Sequence, residues 1–65
     1  MSIYNLLMEL QTWFGPSQDI MNKAKESKIT TKNNTRFKEL VSGWTSGMYD
    51  DDPQLLFNRV CQLLN

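Results

Sequence analysis

The sequence predicts an all-α fold, a small bundle of three or four helices. Three observations carry that expectation. Apolar residues recur at helical spacing in four separate stretches. Cap-type residues and the two prolines stand near the starts of those stretches. Nowhere do apolar and polar residues alternate as in a half-buried strand. With 65 residues the chain makes a single helical domain spanning 1–65.

The first helix is expected over 3–14, where Ile3, Leu6, Leu7, Leu10, Trp13 and Phe14 share one broad face and Ser2 can cap the start. Tyr4 and Met8 widen that face. Gly15-Pro16 closes it, with the glycine suited to the left-handed conformation and the proline unable to continue the ladder. A second helix over 17–27 starts from Pro16 or a Ser17 cap and turns Ile20, Met21 and Ala24 inward, a thin stripe. Asp19 and Lys23 lie four apart in the favourable acid-first order, worth a few tenths of a kcal/mol.

Positions 28–35 are rich in Thr, Asn and Lys, whose short polar members bond their own backbone and compete with helix; they read as a loop anchored by Ile29. A cap at Thr31, Asn34 or Thr35 then opens a third helix over 34–46. It carries Phe37, Leu40, Val41 and Trp44 at i, i+3, i+4, i+7. Gly43 weakens this helix from within, and Gly47 is a natural stop. The fourth helix, over 53–64, has the best-marked start: Asp52 caps and Pro53 takes the first helical position. Leu55, Leu56, Val60, Leu63 and Leu64 form its core face, with Phe57 and Cys61 beside it.

A chain this short buries only about 60% of the surface its unfolded form exposes, so stability is marginal. The usual reinforcements of small scaffolds are a disulfide, a metal or a second subunit. Cys61 is the single cysteine and histidine is absent, which excludes an internal disulfide and the common zinc sets. Self-association is the route left open. No leader pattern, membrane-length apolar run or cofactor motif appears, so a cytoplasmic, intracellular protein without cofactor or membrane partner is expected.

Catalysis near neutral pH leans on a tuned acid, base or nucleophile, most often histidine. Cys61 lacks an imidazole partner and sits in an apolar stripe, and Asp50-Asp51-Asp52 is explained by helix capping rather than by a metal. Binding is therefore expected in place of enzymatic activity. Compact regulators of this size are common products of phages and other mobile elements, although no motif points to one.

Two surfaces are candidates. Trp13, Phe14, Trp44, Met48 and Tyr49 exceed what one thin bundle hides and are types enriched in protein interfaces, which points to a protein partner for a small regulator, inhibitor or adaptor. The second is basic. The net charge is zero, yet six of the seven bases (Lys23, Lys25, Lys28, Lys32, Arg36 and Lys38) fall within positions 23–38 against Glu26 alone, a local charge of +5 (6 − 1). The acids concentrate on the flanks, which gives the molecule a positive and a negative face. With Asn33 and Asn34 interleaved, helices two and three could form a helix-turn-helix that reads nucleic acid, or the patch could meet an acidic protein.

Overall fold

Four short helices, each opened by its own side-chain cap, carry the chain in the computed structural model, which describes residues 1–65. They are α1 (Ile3–Leu10), α2 (Gln18–Ser27), α3 (Thr35–Thr45) and α4 (Pro53–Leu63). Ser2 Oγ accepts from the Asn5 N–H at 3.2 Å and Ser17 Oγ from Ile20 at 3.3 Å. Asn34 Oδ1 accepts from Phe37 at 3.0 Å and Asp52 Oδ1 from Leu55 at 3.2 Å. Each cap satisfies an N–H that the helix itself cannot, a contribution of about 1 kcal/mol apiece.

The all-α expectation holds, with four helices and no strand. No helix is long and apolar enough to cross a membrane. Helices two, three and four end within a residue or so of the expected bounds, but α1 stops at Leu10 rather than at residue 14. The Trp13 and Phe14 N–H groups both donate to the Leu10 carbonyl, at 3.0 and 2.9 Å, and so close a turn instead of extending the ladder. That turn carries the Phe14 ring onto Phe57 of α4, stacked with centroids 4.9 Å apart. It also points Trp13 outward, 63% exposed, where a continued helix would have buried it. Gly15 does not take the left-handed conformation; Lys28 and Gly47 do.

α1 is the central element, packing on both α2 and α4, while α3 packs on α4. Ile3, Leu6, Leu7 and Leu10 are its buried face, joined by Met21, Ala24, Phe37, Leu40, Tyr49, Leu56 and Val60. Truncating one of the fully buried leucines to alanine would cost about 2–5 kcal/mol, a large share of what so small a domain has. Met8 was expected on the widened face but is 45% exposed. Tyr4 is half-buried, with Lys25 Nζ 5.7 Å from its ring centroid.

The α2–α3 loop is tied to the start of the chain. Ser2 and Thr30 form an isolated antiparallel bridge: the Ile3 N–H donates to the Ile29 carbonyl at 2.8 Å and the Thr31 N–H to the Met1 carbonyl at 3.0 Å. Inside the loop, Asn33 bonds at both ends of its amide. Its Oδ1 accepts from the Thr30 N–H at 2.8 Å and its Nδ2 donates to the Lys28 carbonyl at 3.0 Å. This staple holds Lys28 at φ 56, where a residue with a Cβ is disfavoured.

α3 ends in a Schellman arrangement. The Met48 N–H reaches back to the Gly43 carbonyl at 2.9 Å and the Gly47 N–H to Trp44 at 3.2 Å, with Gly47 at φ 89. The reversal folds Tyr49 over Gly43, whose missing side chain makes the space. A Cβ on Gly43 would lie 2.8 Å from Met48 Cε and 2.9 Å from Tyr49 Cε2. The glycine that weakens the helix in sequence terms is thus needed for packing.

Glycine-to-alanine substitutions at positions 15 and 43 should move stability in opposite directions. Gly15→Ala has nothing within 4 Å and should stabilise by about 0.4–1 kcal/mol through the unfolded chain. Gly43→Ala gains up to about 1 kcal/mol of helix propensity. It must, however, displace a buried ring, at about 1–3 kcal/mol. A net loss is expected in urea titration; a rise in stability would mean the Tyr49 ring yields freely.

Candidate functional site

Trp13 and Trp44, thirty-one positions apart in the sequence, converge on one cleft. The turn after α1 supplies Trp13, and the last turn of α3 supplies Trp44, half-buried against the core. Leu10, Tyr49, Pro53 and Leu56 complete an apolar lining around about 150 Å³, and Asp50 stands at the edge. Of the other predicted interface residues, Tyr49 is only 4% exposed but lines the cleft. Phe14 is half-buried, and its ring is occupied by Phe57. Met48 is 64% exposed but does not line this cleft.

The basic segment is divided by the fold. All six of its bases are exposed, but they face different neighbours. Lys25 covers Tyr4, and Lys28 occupies the strained position that ends α2. Lys32 and Lys38 line a groove with Thr31, Asn33, Asn34 and Thr35, while Arg36 turns away toward α4. The main packing of α2 is on α1 and that of α3 on α4. Both asparagines have partners in the chain itself. Asn34 Oδ1 caps α3, and both ends of the Asn33 amide hold the loop.

A second cleft, of about 340 Å³, lies between α3 and α4 and is also lined by Tyr49. Arg36 and Glu39 of α3 face Arg59 and Gln62 of α4 across a floor that includes Leu40 and Leu63. Arg59 Nη1 donates to Tyr49 Oη at 3.1 Å, and its guanidinium carbon is 6.0 Å from the same ring's centroid. Arg59 is the one base outside positions 23–38. Nothing local marks it, because its partner lies ten positions away across a turn and a helix start.

Cys61 is half-buried on α4, and burial pushes its thiol pKa up, away from the thiolate that nucleophilic chemistry needs. Asp52 serves as a cap, and no group of three or more Asp, Glu, Cys or His side chains comes together to hold a metal ion. Comparison with protein-family models, curated proteins and solved structures finds no match to this chain.

Two measurements test this assignment of roles. Asn33→Ala should lower stability by about 1–2 kcal/mol through loss of its paired bonds, while the neighbouring Lys32→Ala stays within about 0.5 kcal/mol; equal effects would mean the staple is not structural. Cys61 in the folded protein should react with iodoacetamide at pH 7.5 more slowly than the urea-unfolded chain does, since the raised pKa keeps the thiol protonated.

Proposed function

We propose that this protein is a non-enzymatic interaction module, a small regulator, inhibitor or adaptor that captures a segment of another protein in the Trp13–Trp44 cleft. The observation that carries this is the 63% exposure of Trp13 beside a half-buried Trp44, over one apolar recess. A large exposed indole next to a concave apolar surface is a costly arrangement for a marginal domain unless something covers it. At about 150 Å³ the recess is smaller than the roughly 300–1,000 Å³ of ordinary small-molecule pockets. It suits one inserted aliphatic side chain better than a substrate or cofactor. Asp50 lines the cleft, and Asp51 and Asp52, both exposed, follow it in sequence. The complementary segment therefore carries lysine or arginine beside its apolar anchor.

The basic groove of Lys32 and Lys38 connects to the other side of the molecule. Lys38 also shares a surface with Met48 along α3, so an extended partner would meet cations there and acids at the tryptophan cleft. That polarity sets the orientation in which a partner docks.

The test is affinity capture from the native cell lysate, with and without nuclease, followed by titration of the captured protein. Trp13 is exposed, so Trp13→Ala should keep the native melting temperature while weakening partner binding by about 2 kcal/mol or more, roughly thirtyfold. A partner held equally well by Trp13→Ala would overturn the cleft. Capture that disappears with nuclease, or collapses between low and moderate salt, would assign the function to nucleic acid instead.

A further inference from the structure

We propose that the α3–α4 cleft is a carboxylate-recognition site, holding an acidic side chain or terminal carboxylate of a protein segment together with its neighbouring aliphatic side chain. The proposal stands on Arg36, Arg59 and Tyr49 and does not rest on the tryptophan cleft.

Two guanidinium groups from different helices line this one cleft. Arg59 is held in place: one of its N–H groups donates to Tyr49 Oη at 3.1 Å, and the tyrosine is itself buried at 4% exposure. An arginine carries five N–H donors, so most of the fork remains for a ligand. A fixed fork suits the planar, two-oxygen face of a carboxylate, and the ordering cost is already met in the free protein. Leu40 and Leu63 supply an apolar floor. They match a hydrocarbon group beside the anion and exclude water that would otherwise screen it.

The charge balance selects a carboxylate over phosphate. Arg36 and Arg59 against Glu39 give the cleft a formal charge of +1 (2 − 1). A single carboxylate neutralises it. A phosphate dianion overshoots, and a nucleic-acid backbone adds repeated charge facing Glu39 with nothing to cover the leucines. The volume, about 340 Å³, lies at the low end of ligand pockets and fits one or two side chains.

The experiment is selection of random peptides on the intact protein, displayed once with a free and once with a blocked C-terminus, followed by anisotropy titration of the recovered sequences. Recovered peptides are expected to carry Asp, Glu or a free terminal carboxylate next to an aliphatic residue; the two display formats distinguish side-chain from terminal carboxylate. Replacing that acid by its amide, or introducing Arg36→Gln or Arg59→Gln, should each weaken binding about tenfold or more. Trp13→Ala should leave it unchanged. Because Arg59→Gln also releases Tyr49, melting curves accompany it, and Arg36→Gln provides the variant that leaves the Tyr49 bond intact. Failure to recover any acid-bearing peptide, affinity of the acid-bearing peptides indifferent to both arginine variants, or competition by inorganic phosphate or an oligonucleotide as strong as by the peptide would each overturn the proposal.

Discussion

The seating of the Tyr49 ring against Gly43 is the contact on which both clefts depend. With no Cβ at position 43, the chain leaving α3 can double back at Gly47 and press an aromatic side chain onto the helix it has just left. From there Asp52 falls where it can cap α4, and α4 runs back along α3 with Arg59 reaching the tyrosine hydroxyl. Tyr49 lines both the tryptophan cleft and the arginine cleft. Two recesses of opposite electrostatic character, one edged by Asp50 and one flanked by Arg36 and Arg59, thus share a single wall.

The molecule's shape explains why so much apolar surface is left over. Its principal extents are 28 × 26 × 17 Å, and the thin direction is less than two helix diameters. A slab of that thickness has one interior layer, filled by α1 and the residues facing it. Aromatic groups beyond that layer must lie at its edges, where Trp44 and Phe57 are partly covered and Trp13 is not. No buried side-chain polar atom lacks a partner, so the core contributes apolar contact without the penalty of orphaned groups. Local ties do the rest, through four capped helix starts and the Asn33 staple.

What was legible in the sequence were the features governed by nearest neighbours along the chain. Ser2, Asp52 and Pro53 act where their types imply, and Phe37, Leu40 and Leu56 point inward as their spacing requires. Trp13 is exposed and Trp44 is packed partly against the core. The misplacements come from contacts that residue spacing alone does not show. Trp13 continues the stripe of α1 by spacing, but Phe14's stack on Phe57 ends that helix early. Tyr49, in a polar turn beside three aspartates, carries no sign of burial until Gly43 is placed beneath it. Charge counting grouped Arg36 with the lysines, whereas helical phase put it opposite Arg59. Asn33 and Asn34 offered the same side-chain chemistry to a nucleic acid as to their own backbone, and the backbone was closer.

The position of α1 between α2 and α4 also governs the order in which the chain can become structured as it is made. α1 and α2 can pair as soon as residue 27 has emerged, but the face of α1 that meets α4, and the Phe14 ring, stay uncovered until residues 56–60 follow. At about 5–20 residues per second that interval lasts roughly 2–6 s. During it, a nascent half-domain displays leucines that no part of itself can yet cover. Until α4 arrives, that apolar face is open to whatever surrounds the growing chain, and the packing of α4 on α1 is what closes it.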